Sequence, residues 1–175
     1  MSALRRSACG GCRMDLNGQA VVARVSGALW LPDDRVLAAG DLHLEKGSAY
    51  GTRGQLLPPY DTAVTLDRLT AEIEALAPDR VILMGDSFHD RGAVARLSDV
   101  AVARLTQLAQ RAPLIWLSGN HDPDPPEGLA GEVAHEVGLG TLILTHEPSP
   151  QPVDGEVAGH LHPVATVRGY GARVR

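Results

Sequence analysis

Five short histidine and carboxylate motifs punctuate this chain: Gly40-Asp41-Leu42-His43, Gly85-Asp86, Gly119-Asn120-His121-Asp122, Thr145-His146 and Gly159-His160-Leu161-His162. Each follows an apolar stretch that reads as a strand, and no other feature constrains the fold as much. Metal-capable side chains that follow successive buried strands collect along one edge of a sheet. The middle strands must then run parallel, with the polar groups at their carboxyl ends. Five of the seven histidines fall inside the motifs. Of the other two, His135 is expected to be a strand residue outside the site.

Between the motifs the elements can be read from periodicity. Residues 1–19 read as a flexible lead-in. Alternating or short apolar runs predict strands over 20–25, 28–31 and 35–39, with turn signals at Gly27 and Pro32-Asp33-Asp34. Residues 45–59 are rich in glycine and proline, lack periodicity, and read as a loop. Leu66, Leu69, Ile73 and Leu76 are spaced for one helical face, with Asp61 as N-cap and Pro78 as stop. Residues 81–84 predict a strand buried on both faces. Val94, Leu97, Ala101, Leu105 and Leu108 predict a second helix over 94–110, and the strand 114–117 follows. After a proline-rich loop the pattern changes to consecutive strands at 132–137, 140–145 and 163–168. Strand–helix–strand–helix–strand followed by strands alone predicts an α/β layered sandwich, mixed β-sheets flanked by helices, as a single domain over 20–175.

A chain of 175 residues with 44% hydrophobic residues can bury a core of its own. Aromatics are only 3%, so aliphatic packing must fill the interior. No apolar run reaches the ~18 residues of a membrane span, and Arg5-Arg6 lack the apolar stretch of a secretory signal. A cytoplasmic protein is expected. The net charge of −5 argues against a large basic footprint, with local exceptions at Arg5, Arg6 and Arg13 and at Arg168, Arg173 and Arg175. Cys9 and Cys12 form a C-x-x-C without the second half of a zinc knuckle, and read as a plain thiol pair.

The motifs support a definite chemistry. Asp41 and His43 alternate across one residue, so both can project the same way from an extended segment, as can His160 and His162. Asp41, His43, Asp86, Asn120, His146, His160 and His162 offer nitrogen and oxygen donors and no thiolate, which favours manganese, iron or zinc over a structural zinc–cysteine site. Seven ligands are too many for one ion; two ions sharing a carboxylate would use them well. Two metals roughly 3.5–4 Å apart activate water and neutralise charge on a phosphoryl group, so phosphate ester hydrolysis is the natural reaction. Singly, each motif is more often structural than catalytic. Their order, each behind its own strand, carries the reading.

From Gly40 to His162 the sequence resembles the calcineurin-like metallophosphoesterase superfamily, whose five blocks stand here in order. A closer likeness, to the ligase-associated DNA damage response endonucleases (the PdeM type), rests on Asp41-Leu42-His43-Leu44-Glu45-Lys46-Gly47-Ser48, Gln55-Leu56-Leu57-Pro58-Pro59-Tyr60-Asp61-Thr62, Gly85-Asp86-Ser87-Phe88-His89-Asp90 and Gly155-Glu156-Val157-Ala158-Gly159-His160-Leu161-His162-Pro163. The resemblance implies the calcineurin-like sandwich fold and two divalent ions, preferably manganese. Asp41, His43 and His162 would hold one ion, Asn120, His146 and His160 the other, and Asp86 would bridge both. A bridging hydroxide would attack phosphorus. His121 would serve the leaving oxygen, with Asp122 orienting its ring. The implied substrate is DNA, cut internally and as single strands, with repair proteins such as a ligase or helicase as partners.

This chain departs from the superfamily in two places. His89 stands where many members carry an aspartate, and Asp90-Arg91-Gly92 arrives one residue late, so either His89 or Arg91 is expected to meet the phosphate. The family also continues past Gly-His-x-His, so its C-terminal segment is expected to be missing here. A phosphatase or nucleotide pyrophosphatase on the same fold is the alternative reading, since fold does not fix substrate. A non-catalytic scaffold is disfavoured by the intact ligands. Lys46 and Arg53 suit guidance of a phosphate backbone and simple solvent exposure equally.

Overall fold

In a computed structural model of the chain, residues 10–58, 60–124 and 126–163 are described in full, and Arg5–Arg6, Val167–Gly169 and Ala172–Val174 as backbone. Eight strands form one sheet in chain order: β1 (Arg5–Arg6), β2 (Cys12–Leu16), β3 (Gln19–Ala23), β4 (Leu29–Leu31), β5 (Val36–Ala39), β6 (Arg80–Leu83), β7 (Leu114–Leu117) and β8 (Glu132–Ala134). Pairing is antiparallel from β1 to β5 and parallel from β5 to β8. Helices α1 (Lys46–Gly51) and α2 (Asp61–Leu76) connect β5 to β6; α3 (Ala93–Arg96) and α4 (Asp99–Arg111) connect β6 to β7. A second sheet holds β9 (Glu136–Leu139), β10 (Leu142–Thr145) and β11 (Glu156–Ala158), with β10 central, antiparallel to β9 and parallel to β11. A final hairpin pairs β12 (Val167–Gly169) with β13 (Ala172–Val174).

Strand alternation creates the layers. Leu37, Val81, Leu83, Leu114 and Trp116 join the core that Leu66, Leu69 and Ile73 of α2 and Leu105 and Leu108 of α4 cover. Their neighbours Val36, Ala38, Ile82, Met84 and Leu117 point the other way, onto Leu139, Leu142 and Leu144 of the second sheet. A period of two along strands buried on both faces produces this helix–sheet–sheet stacking. Each fully buried aliphatic side chain contributes roughly 1.5–3 kcal/mol relative to exposure. Among the described residues, no helix is long and apolar enough to cross a membrane.

Several expectations are revised. Within the lead-in at 1–19, Cys12–Leu16 pairs with β3 through a two-residue turn, Asn17-Gly18, at φ 49° and 81°. Positive φ at both positions matches the right-handed twist of a tight hairpin. The loop at 45–59 contains α1, too short to show periodicity and held from outside: the Gly47 amide donates to Asp61 Oδ2 and the Glu45 amide to Thr62 Oγ1. Asp61 is therefore an anchor for α1 and not an N-cap; Tyr60 occupies that position. The helix over 94–110 is broken at Leu97–Ser98, where Ser98 caps α4 by accepting from the Ala101 amide. The strand at 132–137 splits at an exposed bend at His135, between β8 of the large sheet and β9 of the small one. The strand at 163–168 falls partly on 164–166, outside the described residues. So do Cys9 and the side chains of Arg5, Arg6, Arg168, Arg173 and Arg175.

Candidate active site

The parallel strands end, and their continuations stay zipped together. Past β5 and β6, the Asp41 amide donates to the Gly85 carbonyl, His43 to Asp86 and Leu44 to Ser87. This run is not extended, as its alternation suggested: Asp41, His43 and Glu45 lie at φ 53°, 45° and 65°. Alternation survives because every second residue is left-handed. Leu42 and Leu44 pack into the core while Asp41 and His43 converge with His162. Asp86, His160 and His162 are also left-handed, at φ 47°, 61° and 42°. Non-glycine residues in this region cost about 1–3 kcal/mol each and concentrate at functional sites. Here five of the seven expected ligands occupy it.

The seven form two adjoining groups. Asp41, His43 and His162 can offer ligand atoms within 4.8 Å of one another, as can Asp86, His146 and His160. Asn120 belongs to the second group, its Oδ1 lying 3.0 Å from His146 Nε2 and 2.9 Å from His160 Nδ1. The His160 amide donates to both Asp41 oxygens, tying one group to the other. Asp86 is 2% exposed; its Oδ1 accepts from the His121 amide at 2.9 Å and lies 3.4 Å from His146 Nε2.

The donor set fits divalent ions. His146 Nδ1 lies 3.0 Å from the Met84 carbonyl, so that nitrogen carries the proton and donates. In the neutral ring, Nε2 then presents a lone pair to the Asn120 and Asp86 oxygens, which repel it unless a cation lies between. A histidine whose other nitrogen donates to a backbone carbonyl is the usual support of a metal ligand. Across the site, His43 Nε2 and His162 Nε2 face each other at 3.4 Å, and Asp41 Oδ1 is 3.3 Å from His162 Nε2. Burial lowers the His43 pKa from its ordinary value, against the opposing pull of Asp86, which keeps its lone pair available.

Glycines make room for this convergence. At Gly85, φ is 77° and an added Cβ would lie 2.5 Å from His146 Cγ. At Gly119 it would collide with the Asp86 amide and with carboxylate oxygens of Asp86 and Asp122.

His121 stands beside both groups. Its Nδ1 donates to the His89 carbonyl at 2.7 Å, leaving Nε2 on the cleft side, 3.9 Å from Asp86 Oδ2. The ring is therefore oriented by His89, not by Asp122 as expected. The Asp122 carboxylate instead accepts the Asp86 and Phe88 amides, both at 3.0 Å. Burial pushes the Asp122 pKa up while those backbone bonds pull it down.

The His89 ring lies 5.7 Å from His43 and 5.6 Å from His121 between centroids. Burial, then the neighbouring His121 and Lys46, lower its pKa. Arg91 is not in this cluster. Its side chain is 75% exposed, 3.9 Å from Asp124, on the rim of an adjoining cavity. His135 belongs to neither group among the described residues. Tyr50, unnoticed in the sequence, stacks on His89 at 5.9 Å and 28°. An aromatic four residues after Lys46 was a signal, obscured because no helix was expected there.

The family model for calcineurin-like phosphoesterases matches residues 34–158. Among solved structures, the chain is similar to the nuclease MPE of Pseudomonas putida, with 31% sequence identity and a TM-score of 0.72, over 91% of this chain and 77% of that one. No curated protein sequence matches it.

Proposed function

This chain belongs to the calcineurin-like phosphoesterases, metal-dependent hydrolases of phosphate esters, and we propose that it is a manganese-dependent phosphodiesterase that cuts single-stranded DNA internally. The observation that carries the hydrolytic reading is the meeting of two donor groups at the buried Asp86, with His121 Nε2 open beside them. The likeness to a nuclease over nearly the whole chain supports a nucleic-acid substrate. The donors are nitrogen and oxygen without thiolate, which suits manganese. DNA repair in the cytoplasm, beside a ligase or helicase, is the setting in keeping with that substrate.

Asp41, His43 and His162 would hold one ion and Asn120, His146 and His160 the other, with Asp86 between them. Two divalent ions held there would supply a water of lowered pKa and offset charge at phosphorus. The remaining work falls to protein groups. With Nδ1–H engaged by the His89 carbonyl, the neutral ring leaves only a lone pair on Nε2, so His121 would serve the leaving oxygen as an imidazolium, giving up an Nε2 proton first taken from solvent. Asp122 positions Asp86 by clamping its amide and that of Phe88. Burial lowers the His89 pKa, and its ring, being inside the cluster, contacts the phosphate in preference to Arg91.

The test is incubation of closed circular single-stranded DNA with the protein and manganese, with Asp86→Ala alongside. Linear or shortened products from the wild type alone are expected. Intact circles together with hydrolysis of a phosphomonoester would transfer the assignment to a phosphatase, and full activity of Asp86→Ala would refute the shared-ligand role.

A further inference from the structure

The face of α1 next to the site has a composition the chemistry above does not use. Lys46, Tyr50 and Arg53 recur at i, i+4 and i+7, which places them along one side of the helix and its C-terminal turn. Tyr50 is half-buried against His89, while Lys46 and Arg53 are exposed. Both cations lie close enough to His89 to disfavour its protonation. Among the described residues neither forms an ion pair, and the carboxylates of Glu45 and Asp61, which meet the start of α1, are engaged elsewhere. Glu45 Oε1 accepts from Thr62 Oγ1, and Asp61 Oδ2 accepts the Gly47 amide. The cavity on the Asp122 side is lined by Asp90, Asp122, Asp124 and Glu127, with Arg91 as its cation, and would repel a polyanion. Along the axis, positions 46 and 53 are ~10 Å apart at ~1.5 Å per residue, more than one phosphate group spans.

Resting on the nuclease reading, we propose that Lys46, Tyr50 and Arg53 form a subsite for the nucleic-acid strand flanking the scissile bond, the two cations holding phosphates and the Tyr50 ring stacking a base. In a protein of net charge −5 with 3% aromatics, a phosphate track must be local, and this face supplies one beside the metal ligands. Stacking with paired cations is how single strands are held without sequence readout.

The test compares a single-stranded oligonucleotide with bis(4-nitrophenyl) phosphate, a diester whose single phosphate cannot engage both Lys46 and Arg53, using the full chain and manganese. The Lys46→Gln/Arg53→Gln double variant should lower kcat/KM on the oligonucleotide at least about tenfold more than on the small diester. It should also flatten the salt dependence, by about 1.4 in slope for two lost contacts at roughly 0.7 each. Tyr50→Leu should weaken oligonucleotide binding roughly 5- to 100-fold while keeping the salt slope, with Tyr50→Phe restoring it. Equal losses on both substrates, or an unchanged salt slope, would overturn the subsite. A wild type that cuts the oligonucleotide no better than the double variant would overturn the subsite alone. A wild type that hydrolyses the small diester but never the oligonucleotide would overturn the nuclease reading and the subsite with it.

Discussion

Gly85→Ala tests whether close approach of backbone to ring builds the second group of ligands. Two terms act at Gly85. Its φ of 77° costs alanine about 1–2 kcal/mol. The new Cβ would also lie 2.5 Å from His146 Cγ and Nδ1 and 2.7 Å from its Cβ. His146 is 3% exposed and bonded to the Met84 carbonyl, so it cannot swing away freely. Repacking costs about 1–3 kcal/mol, and loss of the bond adds about 0.5–1.5 kcal/mol. The total is about 2.5–6.5 kcal/mol. At about 2–4 °C per kcal/mol for a chain of this size, the midpoint should fall by roughly 5–25 °C. Gly128→Ala separates the terms, since Gly128 has the same φ of 77° with nothing within 4 Å of the added Cβ. It should lose only the backbone part. Thermal unfolding by circular dichroism measures both variants, and manganese titration of Gly85→Ala should show one ion weakened about 10–100-fold. Equal midpoints for the two variants, with two ions bound normally, would refute the argument from the His146 ring.

Three other outcomes are expected. His121→Ala should lower kcat by about 10²–10⁴-fold with both ions retained, as measured by metal analysis; loss of an ion would make His121 a ligand. Asp122→Ala should destabilise the fold by about 2–4 kcal/mol in urea unfolding, because the Asp86 and Phe88 amides lose their acceptor; a change under about 0.5 kcal/mol would deny the clamp. In chelator-treated protein, His43 and His89 have pKa values lowered by burial from the ordinary 6.5. The unfolded chain then binds more protons as pH falls through that value, so stability should decline on acidification. A melting midpoint unchanged from about pH 8 to about pH 5.5 would count against the burial of those rings.

The site was legible because its donors sit in short blocks after strands buried on both faces, and the short apolar runs at 35–39, 81–84 and 114–117 could be read directly. The Asn17-Gly18 turn was equally legible as the strongest short hairpin signal, beside the strict alternation of half-buried Cys12, Met14 and Leu16 with exposed Arg13 and Asp15 in β2. Other features were out of reach for physical reasons. Helix α1 is six residues long and exists through Asp61 and Thr62, contacts made after a tertiary fold is in place. Nor does the Gly-Asn-His-Asp block reveal that Asp122 turns back to amides more than thirty positions earlier, or that a carbonyl orients His121. Side-chain identity announces the donors, while the groups that aim them are main-chain atoms that any sequence would carry.

That division explains the strain at the site. Asp41, His43, Asp86, His160 and His162 each hold a positive φ, and the amides of Asp41, His43 and His160 donate to neighbouring segments of the site. The left-handed conformation turns each side chain inward without breaking the pairing between the ends of β5 and β6. The fold tolerates about 1–3 kcal/mol at each position because those backbone bonds over-determine it. Ions that bind the folded chain and not the unfolded one stabilise it further through mass action. The metal-free protein therefore holds converging lone pairs and a buried carboxylate in a geometry that only a cation rewards, and chelation should lower its stability before it alters its backbone.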